Sequence, residues 1–184
     1  MAEPIKNDLN TDNIILVGFM AAGKSSIGKK LAYKLGWKYI DTDAEIVKIT
    51  GLKIPALFKK YGEIRFRSEE KLVVKKLKGV TSAVIATGGG TVLDPENWSI
   101  MEELGVIIHL YVPLEEALKR IKKRSERPLL AKSEPEIQKL WKERLEVYNK
   151  ANIFLDTSNK ELDDIVNEII EHLKGGIVDN DSKN

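Results

Sequence analysis

Cysteine is absent from the chain, so neither a disulfide nor a thiolate metal site is available to it, which suits a reducing compartment. No apolar run approaches the roughly 18 residues of a membrane span, and Met1-Ala2-Glu3-Pro4-Ile5-Lys6-Asn7-Asp8 carries no apolar h-region. A cytoplasmic protein with no membrane partner is expected. An excess of one charge is also missing: 30 Lys and Arg against 28 Asp and Glu leave +2, which gives no reason to expect nucleic acid. Aromatic residues are few, at 7%, and none interleaves the basic cluster Lys119, Arg120, Lys122, Lys123, Arg124 and Arg127 as an RNA or single-strand platform requires. Trp37, Trp98 and Trp141 form no cage and are read as packing residues. Of the two histidines, His109 lies in an apolar run and is read as core, and His172 is read as surface.

What remains is an ordinary globular composition, 42% apolar and 32% charged over 184 residues. One domain is expected, residues 1–184, with a core over about 12–175 and polar, frayed ends. Five short runs read as strands: 14–17, 38–41, 83–86, 106–111 and 153–155. Helical patterns separate them, so the expected fold class is α/β: a five-stranded parallel sheet flanked by helices and joined by right-handed crossovers. The last helix is the clearest, with Leu162, Ile165, Val166, Ile169 and Leu173 on one stripe and Gly175-Gly176 as its stop. Sites in such sheets lie at the carboxyl ends of the strands.

The first strand end carries Gly18-Phe19-Met20-Ala21-Ala22-Gly23-Lys24-Ser25, which fits G-x-x-x-x-G-K-[ST] at every fixed position. Strand, loop and helix follow in the order that a phosphate-binding loop needs, Ile27, Leu31 and Leu35 recurring at helical spacing after it. Backbone N–H groups from Gly18 through Ser26 can turn in on a polyphosphate, Lys24 can reach its β- and γ-phosphates, and the Ser25 hydroxyl can ligate Mg²⁺. The competing reading is a plain glycine turn.

The second strand ends in Asp41-Thr42-Asp43. Asp41 can support a metal's hydration shell, and Asp43 can orient a substrate hydroxyl or accept its proton. The alternative is that Thr42 or Asp43 merely caps a helix beginning near Ala44. The third strand runs into Thr87-Gly88-Gly89-Gly90 with no aspartate at its end, which sharpens the case for Asp41 near the metal. Three consecutive glycines suggest a place where backbone N–H groups approach a ligand, or else a flexible turn.

Together with Phe66-Arg67-Ser68-Glu69-Glu70, Arg127-Pro128-Leu129-Leu130 and Arg144-Leu145-Glu146-Val147-Tyr148, these blocks stand in the order of the shikimate kinases, and from about residue 14 to 170 the chain resembles that family. The resemblance implies a nucleoside-monophosphate-kinase-like fold with a mobile lid over about 122–135. It implies Mg²⁺-dependent transfer of the γ-phosphoryl group of ATP to the 3-hydroxyl of shikimate, by a monomer. Lys24, Asp43 and Arg127 would be catalytic; Gly18, Ala21, Ala22, Gly23, Lys24, Ser25, Ser26, Arg120 and Arg127 would bind the nucleotide, with Ser25 and Asp41 at the metal. Asp43, Arg67, Gly88, Gly89, Gly90 and Arg144 would bind shikimate, Arg67 and Arg144 gripping its carboxylate and Glu70 steadying Arg67. Arg120 and Asp156-Thr157-Ser158 would lie near the adenine. Taken singly, Arg67 and Arg144 read as solvated helix surface; the joint pattern reverses that.

Two departures from the family pattern stand in the loop. Ala21 replaces a glycine, which excludes a positive φ there if one is needed, and Ser26 replaces threonine. Three other readings stay open: a kinase of another polyol acid such as gluconate, a non-catalytic nucleotide-binding module, and a GTPase-like switch. The last is disfavoured because Asn149-Lys150-Ala151-Asn152 ends in the wrong residue for a guanine motif.

Overall fold

Five strands form one parallel sheet in the order β2-β3-β1-β4-β5 in the computed structural model, which describes residues 9–120 and 133–175. The strands are β1 (Asn13–Val17), β2 (Lys38–Asp41), β3 (Ala83–Ala86), β4 (Val106–Tyr111) and β5 (Ile153–Asp156). β1 is buried along its whole length because it is central, with β3 on one side (Ile15 opposite Ile85) and β4 on the other (Ile15 opposite Ile107). A strand covered on both faces needs a continuous apolar run, and Ile14-Ile15-Leu16-Val17 supplies one. The one polar residue of β1 is Asn13, fully buried and fully used: its amide donates to Val80 O (2.7 Å) and Leu104 O (2.8 Å), and its oxygen accepts from Ala83 N. It ties the chain before β3 and the end of the helix before β4 to the sheet.

Seven helices are described: α1 (Lys24–Leu35), α2 (Thr42–Thr50), α3 (Ile54–Lys76), α4 (Pro95–Leu104), α5 (Leu114–Arg120), α6 (Glu134–Tyr148) and α7 (Leu162–Lys174), with a 3₁₀ turn at Thr91–Leu93. α7 buries Ile165, Val166, Ile169, Ile170 and Leu173 against the sheet, as its stripe predicts, and stops at Gly175. None of the described helices is long and apolar enough to cross a membrane. A second, smaller core of Ile46, Leu57, Phe66 and Val73 fastens α2 to α3. α3 breaks its helical geometry at Gly62 (φ 76°), which divides it into two parts.

The helix expected near Ala44 starts two residues earlier, and neither Thr42 nor Asp43 caps it. Asp41 does, its Oδ1 accepting from Asp43 N (3.0 Å) and Ala44 N (3.3 Å). Of the expected lid, residues 133–135 are described and open α6, where Glu136 reaches back to the Ser133 N–H (2.7 Å). The rest of the expected lid, with Arg127, and both expected polar ends lie outside the described residues.

Candidate active site

The carboxyl ends of β1, β2 and β3 open into a cavity of about 650 Å³. Into it project Lys24, Ser25 and Ser26 from the loop and α1, Asp41 and Asp43 from the end of β2, Arg67 and Glu70 from α3, and Gly88, Gly89 and Gly90 after β3. Arg120 and Arg144 complete the lining. Residues as far apart in sequence as Lys24 and Arg144 thus meet at the carboxyl end of the sheet, as the strand-end rule predicts.

The loop turns through left-handed backbone at Gly23 (φ 92°), the residue that begins α1, so the first turn of α1 points into the cavity. Gly18 is packed so tightly under the loop that a β-carbon would lie 2.4 Å from Leu110 O. Ala22 is buried below the cavity, and its N–H donates to Phe19 O (3.2 Å). The Lys24 ammonium donates to Gly18 O (2.6 Å) and Phe19 O (3.0 Å) across the loop it must cradle.

Ala21 overturns one expectation. Its φ is +62°, so the loop does take left-handed backbone there, and takes it with an alanine. That conformation costs an L-residue about 1–2 kcal/mol. Its carbonyl accepts from Arg120 Nη1 (3.4 Å). We expect Ala21→Gly to relieve the strain but to return about 0.4–1 kcal/mol through the freer unfolded chain. The net result is a thermal midpoint raised by about 1–3 °C. Differential scanning calorimetry checks this; a lowered midpoint would mean that the Ala21 methyl group contributes more packing than its backbone costs.

Asp41 serves two elements at once. Its Oδ1 caps α2, and its Oδ2 accepts from Tyr39 OH (3.1 Å) and Ser25 Oγ (3.3 Å). A hydroxyl and one carboxylate oxygen therefore face the same point beside the loop. Such oxygen donors suit Mg²⁺, which keeps most of its waters and takes few protein ligands. The described residues contain no group of three or more His, Cys, Asp and Glu able to hold a metal by themselves, so an ion here depends on phosphate oxygens as well.

Of the three consecutive glycines, the first is used within the protein. The Gly88 N–H is not turned toward the cavity; it donates to the buried Thr42 hydroxyl (2.9 Å). What the glycines supply is room. A β-carbon on Gly88 would lie 2.5 Å from Asp43 Oδ1, one on Gly89 2.9 Å from Arg144 Nη1, and one on Gly90 under 2.5 Å from Arg67 Nη1. Each glycine is the floor beneath one of the three charged side chains expected to meet the substrate.

The two arginines are held in opposite ways. Arg67 pairs with Glu70 (2.6 Å) and Glu63 (3.0 Å), and Glu70 is itself fixed by the Thr91 hydroxyl (2.6 Å). Burial works against the charge of Arg67, but Glu70 and then Glu63 hold its pKa above the ordinary value. Burial likewise pushes the Glu70 carboxyl up, with Arg67 pulling it back. Arg144 is 2% exposed and has no ion pair within 4.0 Å among the described residues; burial first, and then the charge of Arg67, lower its pKa. Its Nε has no hydrogen-bond partner, and its guanidinium lies 5.7 Å from the centre of the Phe19 ring.

On the nucleotide side, Arg120 bonds Glu116, Thr157 O (3.1 Å) and Ala21 O, bringing α5, the segment after β5 and the loop together. His109 is core, as expected, set among Tyr111, Tyr148 and Phe154, and burial pushes its pKa down to about 4. His172 is exposed. Trp98 packs with its Nε1 on Glu102 (2.7 Å), while Trp37 and Trp141 pack half-buried against the main core. Sequence reasoning assigned no role to Tyr148 or Phe19, although the four-residue spacing from Arg144 to Tyr148 on α6 puts them on one helix face.

A phosphate-binding loop at the head of a parallel sheet, joined in one cavity to a pair of arginines and an aspartate, defines a P-loop kinase of a small acidic substrate. The comparisons with known proteins agree. The family model "Shikimate kinase" matches residues 20–174. Shikimate kinases of Pelotomaculum thermopropionicum and Persephonella marina are 46% and 44% identical to the chain, covering 88% of it and 95% and 99% of their own lengths. A solved shikimate kinase from Acinetobacter baumannii, in complex with shikimate, superposes with a TM-score of 0.85 at 35% identity, covering 94% of this chain and 96% of its own. The chain belongs to the shikimate kinase family.

Proposed function

We propose that this chain performs the reaction of its family through the residues gathered in the cavity: it transfers the γ-phosphoryl group of ATP, with Mg²⁺, to the 3-hydroxyl of shikimate, giving shikimate 3-phosphate and ADP. The observation that carries the substrate assignment is Arg144, a buried guanidinium with no carboxylate to pair with among the described residues, lining one cavity with a second arginine and Asp43. A buried charge without a partner is costly. A substrate carboxylate would complete it, Arg144 and Arg67 closing on its two oxygens.

The phosphoryl side divides the work by reach. The loop N–H groups from Gly23 to Ser26 and the end of α1 would receive the β- and γ-phosphates, with Lys24 leaving the Gly18 and Phe19 carbonyls to follow them. Ser25 would ligate Mg²⁺ and Asp41 its water shell. Held there, the ion would supply positive charge to offset the charge developing on the phosphoryl group. Arg120 and the segment 156–158 would border the adenine. Asp43, over Gly88, would align the attacking hydroxyl; a loose transition state asks more for alignment than for a strong base. Arg127, assigned from its motif alone, would bring a further positive charge to the transferring group from the lid.

We read the protein as a single-domain cytoplasmic monomer that binds shikimate and neither nucleic acid nor membrane. The near balance of charge supports the absence of a polyanion partner, and light scattering on the purified chain tests the monomer.

The test of function is ADP release with Mg-ATP and shikimate, gluconate or quinate as acceptor. Release with shikimate alone is expected. Release with gluconate in preference would keep the kinase and replace its substrate, and nucleotide binding with no acceptor-dependent release would favour a non-catalytic module.

A further inference from the structure

Tyr148 ends α6 one turn after Arg144 and is 1% exposed. Its hydroxyl donates to Gly89 O (2.5 Å), and the Arg144 guanidinium lies beside the same glycine. The phenol proton is used on Gly89, so only the oxygen's lone pairs remain to face neighbouring donors. A β-carbon on Gly89 would sit between the two groups, 2.9 Å from Arg144 Nη1 and 3.5 Å from the Tyr148 hydroxyl. The Tyr148 ring is held in turn by His109, centroid to centroid 5.2 Å.

The contrast with Arg67 gives this arrangement its meaning. Glutamates orient Arg67 and also neutralise it. A phenol fixes the glycine beneath Arg144 and leaves that charge intact. We infer that Tyr148 is a positioning residue for shikimate recognition, an uncharged tether that locks the glycine floor beneath Arg144 and so aims it at the substrate carboxylate. The inference rests on the carboxylate-clamp reading of Arg144.

The test compares Tyr148→Phe with the parent protein on shikimate and on its neutral carboxamide, with MgADP affinity measured by calorimetry. Loss of the hydrogen bond that fixes Gly89 beneath Arg144 corresponds to about tenfold. The variant is expected to raise KM for shikimate about tenfold while kcat stays within about threefold and KM for Mg-ATP is unchanged. Its preference for acid over amide should shrink by the same factor. Phenylalanine fills the same space, so MgADP affinity should hold. An unchanged acid-to-amide preference would overturn the inference, as would equal losses for acid, amide and MgADP, which signify general loosening. A parent protein that itself fails to prefer the acid would overturn the clamp reading and the inference with it.

Discussion

Replacing Arg144 with methionine will make the protein more stable and unable to bind its substrate. Arg144 holds a charge that is almost wholly buried and that no described carboxylate answers. Methionine has similar length and no charge, and its flexible thioether can fill the same space beside Phe19. Removing a poorly compensated buried charge typically gains about 1 kcal/mol or more. For a domain of this size each kcal/mol moves the thermal midpoint by about 2–4 °C. The same substitution removes one arm of the carboxylate clamp, which should cost about 10²–10³ in shikimate affinity. Scanning calorimetry and titration calorimetry on one sample read both effects. A lower midpoint together with retained shikimate binding would show that Arg144 is a structural residue.

A single methyl group added at Gly88 will separate catalysis from folding. The new β-carbon would meet Asp43 Oδ1 at 2.5 Å and Thr91 Oγ1 at 2.8 Å, with Glu70 Oε1 at 3.3 Å. All three atoms are the ends of side chains, so the clash is relieved by swinging them aside and not by moving the sheet. The fold should survive with a loss of about 1–2 kcal/mol. Displacing Asp43 by roughly 1 Å should lower kcat about a hundredfold, because alignment of the attacking hydroxyl falls off that steeply. KM for Mg-ATP should not change, since the three atoms nearest the new β-carbon belong to neither the loop nor α1. Steady-state kinetics with both substrates varied checks this, and a variant with normal kcat would remove Asp43 from the reaction as assigned.

The parts of the molecule visible in the sequence are those fixed by short-range rules. Strands buried on both faces must be apolar runs bounded by turns, so β1 to β5 stand within one residue of expectation at every end. The phosphate loop is a contiguous motif whose residue types each have a separate job, and α7 shows its buried stripe openly. What the sequence hid depends on pairs brought together by the fold. Nothing in Asp41-Thr42-Asp43 says that Asp41 caps α2 with one oxygen and meets Ser25 with the other. The glycine run signals close approach, but not that side chains of α2, α3 and α6 are among what approaches it. Ala21 in left-handed backbone contradicts residue preference outright, and the loop around it holds it there through Arg120. Tyr148 needed only the helical spacing to be linked to Arg144, yet its contact with Gly89 spans 59 positions.

The most direct test of the account is phosphorus NMR of the products formed from Mg-ATP and shikimate. The account predicts ADP and a single phosphomonoester in equal amounts, its phosphorus coupled to the proton on carbon 3 of shikimate. Inorganic phosphate in place of that ester, or an ester on another hydroxyl, would contradict the role of Asp43 in aligning the 3-hydroxyl and the reaction derived from it.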